Sequence, residues 1–259
     1  MIDVHLHLLP GVDDGPADLA GALALARECA ATDTPAVIAT PHYDDSTRTV
    51  LADAATATAH VDRLQAELDR AGIPVQVLTG CEAFLTPDLP RRVRDGLVPT
   101  MAGSRWLLVE TTVQQQPLNL EQTLFELQAM GIVPLLAHPE RYAWLRRDPD
   151  ILASLVVRGV RAQVTAASLA GRRGSEQRRF AETLVQRNLV QVMASDRHRA
   201  GTRASLHEGY TAAVALVGEE RAHRLIEVHP RRIVEDKLID ADVVDESRRE
   251  TWLSRWFRR

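Results

Sequence analysis

Cysteine is scarce in this sequence, and so are the signals of export. The 259 residues include only Cys29 and Cys81, too few for a disulfide framework. The sequence opens MIDVHLHLLP, without the positively charged and apolar segment of a secretory signal. It also contains no apolar run long enough to span a membrane. We therefore expect a cytoplasmic protein.

An excess of positive charge is missing as well. The formal net charge is -4, and no basic stripe interleaved with aromatic residues is evident, which argues against a nuclease or any other nucleic-acid partner. Neither cysteine is followed by an arginine six positions later, so the phosphate loop of cysteine-dependent phosphatases is absent. Cys81 adjoins Glu82 but is better explained as a small buried residue than as a nucleophile.

What the sequence does contain is an alternation of short apolar runs with longer helical stretches. Seven runs have strand character, and five stretches have helical spacing. The runs are Ile2–Leu6, 36–40, 75–79, Trp106–Glu110, Val133–Ala137, Arg161–Thr165 and 190–194, and the helices are 18–31, 51–71, 120–130, 175–187 and 203–216. This order is typical of parallel strands joined by helices, and the length suits one α/β barrel. We predict a single barrel domain over residues 1–240, followed by a basic amphipathic tail at 241–259.

Histidines and carboxylates recur where the predicted strands end. His5 and His7 lie on the first run, and the later runs end at or are followed by further members of the set. These members are His42, Glu82, Glu110, His138, Asp196 and His198. Because the carboxyl ends of barrel strands open on one face, we expect these side chains to converge. Asp13 and Asp14, in the turn GVDDGP, reach the same face, although either aspartate also suits a simple turn.

This residue set predicts a site for more than one metal ion. Alternate residues of a strand share a face, so His5 and His7 can bind one ion together. Mixed imidazole and carboxylate ligands suit Mn, Fe or Zn. Neighbouring ions can share a hydroxide and promote in-line attack at phosphorus, which predicts phosphoester hydrolysis. A single histidine is more often a hydrogen-bonded core residue, but convergence of so many ionisable groups favours metal. The remaining histidines, His60, His207, His223 and His229, receive no role.

Six motifs taken in order resemble a known family. They are MIDVHLHLLPGVDDGP, ATPHY, GCEAF, LVETT, LLAHPERY and ASDRH, and the match runs from Met1 to about Pro230. The sequence is similar to the PHP family, and within it to the bacterial CpsB/YwqE-type tyrosine phosphatases of capsule and exopolysaccharide systems. The resemblance implies a distorted seven-stranded β/α barrel and three divalent metal ions, usually manganese. It also implies dephosphorylation of tyrosines on a bacterial tyrosine kinase of polysaccharide export.

The same resemblance implies a role for each residue of the set. His5, His7 and Asp196 would hold the first ion with Glu82, which bridges to a second ion held by Glu110 and His138. Asp14, His42 and His198 would hold the third, with Asp13 beside the site. Arg141 and Arg203 would bind phosphate.

Two features of this chain stand apart from those implied roles. Tyr43 replaces a second histidine found in many relatives, and the run Arg161–Thr165 supplies no ligand. Arg197 and Arg199 flank His198, from which we predict positive charge near the mouth of the site and an anionic substrate.

The sequence leaves open several alternatives for the function of the protein and for the role of its tail. A histidinol-phosphate phosphatase or another small-molecule phosphatase of the PHP family would share the metals and differ in the substrate pocket. A metal-binding scaffold that regulates the kinase without catalysis would have no need of an open polynuclear site. The tail is also ambiguous, because its apolar face either packs on the barrel, binds a partner helix, or makes weak peripheral contact with the inner membrane. That face comprises Trp252, Leu253, Trp256 and Phe257, flanked by five arginines.

The membrane alternative makes a direct prediction. Aromatic residues beside arginines suit an anionic lipid interface, so the full chain should sediment with anionic liposomes and a chain ending at Asp245 should not. Vesicles of neutral lipid provide the control, because they lack the charge that attracts the arginines. Equal recovery of the two forms on anionic vesicles would leave only packing or a protein partner.

Overall fold

Parallel strands build the computed structural model, which describes residues 1–43, 51, 53–201 and 205–241. Nine strands occur among these residues. They are β1 Ile2–Leu6, β2 Ala36–Ala39, β3 His42–Tyr43, β4 Gln76–Thr79, β5 Glu82–Phe84, β6 Trp106–Glu110, β7 Val133–Ala137, β8 Arg161–Thr165 and β9 Val192–Ala194. One sheet has the order β1-β2-β4 and the other β3-β5-β6-β7-β8-β9. Every strand pair is parallel, which confirms the predicted α/β class.

Two short strands were not predicted, and they divide the sheet. β3 and β5 each begin after a two-residue break that follows β2 and β4. The chain packs tightly at the second break. A Cβ atom on Gly80 would lie only 2.6 Å from Ile38 Cγ2, so the position requires glycine. The ladder resumes beyond the breaks, where His42 lies opposite Glu82. Where the sequence predicts seven strands in a distorted barrel, the structure has nine short strands in two parallel sheets.

The first and last strands also approach each other. The amide of His7 donates to the carbonyl of Arg197 at 3.0 Å, and the amide of Asp196 donates to the carbonyl of His5 at 2.9 Å. A parallel bridge between Leu6 and Arg197 accompanies these bonds. The segment after β9 is thereby held against the end of β1, which brings two groups of predicted ligands together.

Helices connect the strands in the described part of the chain. They are α1 Leu19–Ala31, α2 Ala54–Arg70, α3 Leu89–Arg94, α4 Leu120–Ala129, α5 Ala143–Arg147, α6 Asp150–Val157, α7 Ala166–Leu169, α8 Ser175–Gln186, α9 Leu206–Val217, α10 Glu219–His223 and α11 His229–Val234. The five predicted helices are all present with shifted ends. Side chains at the ends explain the shifts: Asp18 and Asp53 cap α1 and α2, and Ser205 forms a capping box with Glu208 on α9. The other six are at most eight residues long, too short for their spacing to be read from the sequence.

Apolar burial fixes the helices on the sheets. Val61, Leu64 and Leu68 of α2 are buried, as their spacing predicts. A smaller apolar cluster draws on β1, β6, β7 and β9, with Ile233 and Ile239 packed on it. Within the described ranges, no helix has both the length and the apolar character required to cross a bilayer. Residues 242–259 of the predicted tail, with Trp252, Leu253, Trp256 and Phe257, lie outside the described residues.

Candidate metal centre

The carboxyl ends of the strands bring the nine predicted ligands into one cluster. Their ligand atoms form four overlapping groups, and within each group these atoms lie within 4.8 Å of one another. The groups are His7 with Asp14, His42 and His198; His5 with His7 and Asp196; His5 with Glu82 and His138; and His42 with Glu82 and Glu110. Seven of the nine residues are buried, whereas Asp14 is exposed and His198 is half-buried. The cluster therefore extends from the sheet interior to the surface.

Glu82 lies at the centre of this cluster. Its Oε1 is 2.7 Å from His138 Nε2, and its Oε2 is 3.3 Å from His5 Nε2 and 3.4 Å from His7 Nε2. The same Oε2 is 3.3 Å from His42 Nδ1, which is 3.0 Å from Glu110 Oε1. One carboxylate thus contacts four imidazoles. The grouping differs from the implied roles in several details. His138 groups with His5, Glu110 groups with His42, and His7 also joins Asp14, His42 and His198.

Hydrogen bonds behind the cluster fix the orientation of two imidazoles. The Nδ1 of His5 donates to Gln163 Oε1 at 2.9 Å, and the Gln163 amide is itself oriented by donation to the carbonyl of Val164. The Nδ1 of His7 lies 2.7 Å from Asp13 Oδ2. Both rings therefore turn Nε2 toward the cluster, the arrangement by which outer partners set the tautomer of a ligating histidine. These Nε2 atoms lie 3.3 Å apart.

Gln163 is a functional residue that the sequence did not reveal. It lies on β8, the strand that supplies none of the predicted ligands, and it is fully buried. The only available signal was an amide in an apolar strand, and that pattern is common in proteins that bind no metal. Asp13 occupies a place like the one implied for it, because it accepts from His7 and from the amides of Gly15 and His42. A Cβ at Gly15 would lie 2.9 Å from Asp13 Oδ1.

Backbone strain occurs at two of the ligands. His138 has φ 35° and Asp196 has φ 51°, in the left-handed region that residues other than glycine rarely adopt. The turn after His138 is held by Glu140, whose buried Oε1 accepts from the Thr165 amide, the Thr165 hydroxyl and the Ser168 hydroxyl. Such conformations persist only where the surrounding structure enforces them, and they are typical of functional sites.

Mutual electrostatics shift the pKa values of the cluster. Burial lowers the pKa of His7, but the carboxylates of Asp13 and Glu82 outweigh burial and raise it to about 10. Burial, together with the charge of Arg141, lowers the pKa of His138 to about 4. Burial raises the pKa of Glu82, but the charges of His5 and His138 hold it well below its usual range. The cluster therefore combines carboxylate and imidazole donors, a set that fits Mn, Fe or Zn ions.

Two arginines contact the cluster at Asp196. Its Oδ1 faces His5 Nε2 at 3.6 Å and His7 Nε2 at 3.7 Å. Its Oδ2 contacts Arg141 Nη2 and, at 3.3 Å, Arg173 Nη2. Arg141 thus lies beside a predicted metal ligand. Arg173, in the loop before α8, lies there too and was missed because adjacent arginines at 172 and 173 look like ordinary surface charge.

The sequence also predicted roles for Arg203 and Arg197. Arg203 lies outside the described residues. The prediction that Arg197 enriches charge at the mouth is wrong, because its side chain is buried and forms an ion pair with Glu28 of α1. The parallel bridge from Leu6 to Arg197 accounts for this placement, since Arg197 lies beside β1 rather than at the free end of a loop.

Comparison with known proteins identifies close relatives. A family model described as capsular polysaccharide synthesis, CpsB/CapC, matches residues 1–235. The tyrosine-protein phosphatase YwqE of Bacillus subtilis (strain 168) is 33% identical over 203 residues, 78% of this chain and 79% of the relative. The tyrosine-protein phosphatase CpsB of Streptococcus agalactiae serotype V is 26% identical over 245 residues, 92% of this chain and 100% of the relative.

A solved structure agrees with these matches. It belongs to the crystal structures of YwqE from Bacillus subtilis and CpsB from Streptococcus pneumoniae, which are metal-dependent tyrosine phosphatases. The TM-score is 0.89 at 29% sequence identity, and the alignment covers 93% of this chain and 97% of the other. The relatives therefore share the fold over nearly the whole described chain.

Metal binding should release a proton from this site. With a pKa of about 10, the metal-free His7 ring is protonated at neutral pH, and an ion can bind only the deprotonated ring. Apparent metal affinity should therefore rise as pH rises toward that pKa, by up to tenfold per pH unit for this one group, as a rough limit. Titration calorimetry in buffers of different ionisation enthalpy measures the released protons. A His60→Gln variant is the control, and proton-independent binding would contradict the assignment.

Glu82 should be needed for metal retention. Glu82→Gln removes the charge that four imidazoles share, so it should weaken metal binding by more than the roughly 10- to 100-fold cost of losing an outer partner. Metal content by mass spectrometry, beside circular dichroism for folding, checks this. Glu121→Gln, at an exposed ion pair with Arg158, is the matched control. Normal metal content in the Glu82 variant would show that Glu82 does not bridge.

Proposed function

The chain belongs to the CpsB/CapC family of capsular polysaccharide synthesis, and from that premise we propose that it is a metal-dependent tyrosine phosphatase. The observation that carries the proposal is the convergence of nine potential ligands, with Glu82 at their centre and the Arg141 guanidinium at the edge of the cluster. Curated relatives named tyrosine-protein phosphatases match 78% or more of the chain. The substrate is phosphotyrosine on a protein.

The residues of the site divide the work of phosphate hydrolysis. Divalent ions, when bound, lower the pKa of water and stabilise charge on phosphoryl oxygens. Arg141 and Arg173 present planar guanidinium groups, which match phosphate oxygens in geometry and charge. Asp13 and Gln163 hold the imidazoles of His7 and His5 in the orientation that directs Nε2 to the cluster. The phenol of tyrosine, with a pKa of about 10, departs with less help from a proton donor than a serine alcohol needs.

We extend this proposal to the number and identity of the metal ions, to their ligands and to the barrel fold. Nine potential ligands in four groups exceed the needs of one ion. Following the family resemblance, we assign three divalent ions, manganese in preference to iron or zinc. His5, His7, Asp14, His42, Glu82, Glu110, His138, Asp196 and His198 are the proposed ligands. Counting β2 with β3 and β4 with β5 as single interrupted strands gives seven, in support of a distorted barrel over residues 1–240.

Several predicted features have no further support from the structure. The tyrosine kinase of polysaccharide export as substrate rests on the resemblance, whereas the cytoplasmic location and weak membrane contact through the tail at 241–259 rest on the sequence. Phosphate binding by Arg203 also stays a prediction, because that residue lies outside the described range.

Substrate comparison tests the proposed activity. Metal-loaded protein should hydrolyse a phosphotyrosine peptide faster than a phosphoserine peptide or histidinol phosphate, and chelation should abolish all three activities. Readdition of manganese should restore the phosphotyrosine activity, which distinguishes metal loss from unfolding. Faster turnover of histidinol phosphate would move the protein to the small-molecule phosphatases, and full activity without metal would overturn the mechanism.

Arg173 should act on the substrate rather than on the metals. If its guanidinium binds a phosphoryl oxygen, Arg173→Gln should raise KM and lower kcat/KM by about 10- to 100-fold, the effect of losing one hydrogen bond to a charged group. Metal content should stay unchanged. The neighbouring Arg172 is exposed and pairs with Glu208, so Arg172→Gln is the matched control. Loss of metal in the Arg173 variant with unchanged phosphate affinity would instead show that Arg173 only orients Asp196.

A further inference from the structure

A cavity lies near the amino end of β9, away from the metal centre. Its volume is about 530 Å³, within the range of small-molecule sites. The lining residues are Val185, Asn188, Val190, Val217, Arg221, Arg224, Leu225, Val228, His229, Arg232 and Asp240. Asn188 and Val190 precede β9, whereas Asp196 follows it. The cavity therefore opens near the amino end of the strand whose carboxyl end carries the metal ligand.

Positive charge dominates the lining of this cavity. Three arginines line it, and Asp240 is the single acidic residue among the lining residues. Arg221 donates from Nη2 to the carbonyl of Val185 at 2.8 Å, and Arg232 donates from Nε to the carbonyl of Leu238 at 2.6 Å. Carbonyl partners position these two guanidinium groups but do not neutralise their charge, whereas Arg224 forms an ion pair with Glu220 at 2.5 Å. This local excess contrasts with the net charge of -4 for the whole chain.

The positive charge of neighbouring arginines also affects the pKa values of two lining residues. Burial lowers the pKa of His229, and the charges of Arg224, Arg232 and Arg161 lower it further, while the carbonyl of Gln191 opposes the shift. Burial and the charge of Arg224 also lower the pKa of Arg221. Burial is the larger cause of both shifts, and neighbouring arginines, whose mutual repulsion a bound anion would reduce, add to it.

The rest of the lining is apolar and comes from an irregular helical segment. Five of the lining residues are valine or leucine, and they come from α8, the loop before β9, α9 and the segment Arg224–Val228. That segment is a π-helical turn between α10 and α11, a rare conformation that is frequent at functional sites. It places Arg224, Leu225 and Val228 on the cavity, so charged and apolar surfaces adjoin.

We propose that this cavity binds an organic phosphate of nucleotide size, with its phosphates on Arg221, Arg224 and Arg232 and its uncharged body against the valines. Guanidinium groups match phosphate oxygens in geometry and charge. The cavity volume is also large enough to hold a ring of the ligand beside its phosphates. The site is independent of the proposed phosphatase chemistry, because none of its lining residues belongs to the ligand groups of the metal centre.

Calorimetric titration of the full-length, metal-loaded protein with ADP, inorganic pyrophosphate and adenosine tests this site. ADP should bind most tightly, because pyrophosphate lacks the body and adenosine lacks the charge. Arg224→Gln and Arg232→Gln should each weaken ADP binding by about tenfold or more, the usual effect of losing a charge-assisted hydrogen bond. Two separate variants guard against one that fails to fold. Hydrolysis of p-nitrophenyl phosphate should stay unchanged in both, which separates this site from the metal centre.

Arg231 provides the matched control, because it is exposed and pairs with Glu227. Arg231→Gln should bind ADP as the unmodified protein does. Undiminished binding in both the Arg224 and Arg232 variants would place ADP elsewhere and overturn the proposal, as would adenosine binding as tightly as ADP. Failure of the unmodified protein to bind ADP or pyrophosphate would overturn it too. Binding that appears only after truncation following Ala241 would show that the chain's own C-terminal segment is the occupant.

Discussion

A buried carboxylate in contact with four imidazoles is the constraint on which the site depends. Glu82 is almost completely inaccessible, and its two oxygens lie within 3.4 Å of nitrogens from His5, His7, His42 and His138. Burial of an ionised carboxylate is costly unless cations or hydrogen-bond donors surround it. The strand ends that carry these histidines must therefore meet at this point, and the break that precedes β5 places Glu82 there.

The surrounding structure fixes the groups that meet at Glu82. Asp3 accepts from the amides of His5 and Ser195, which joins β1 to the segment that carries Asp196. Glu140 joins the turn after His138 to β8. Both carboxylates are buried and neither belongs to a ligand group, so the centre relies on acidic residues that have only a structural role. Strained backbone at His138 and Asp196 is enforced by these contacts.

The sequence predicted the fold class and the set of converging residues because each depends on local patterns. Apolar runs give the strands, and the barrel rule then places whatever follows each strand on one face. It missed β3 and β5, since two- and three-residue strands carry no periodicity. It also missed Gln163 and Arg173, whose importance depends on contacts with residues distant in sequence. Arg197 was misplaced for the same reason, because its partner Glu28 lies on another element.

Exposure differs sharply across the cluster, and this has a kinetic consequence. The side chain of Asp14 is 59% exposed and that of His198 15%, whereas Glu82 and Asp196 are each 1% exposed. A metal ion bound by Asp14 and His198 would exchange with bulk solution while the protein stays folded. One bound by Glu82 would leave only when the buried strand ends open, a rarer event. In a purified sample, the metal at the exposed positions would then be set by the final buffer. The metal at the buried positions would be set by the ions present when the protein was synthesised.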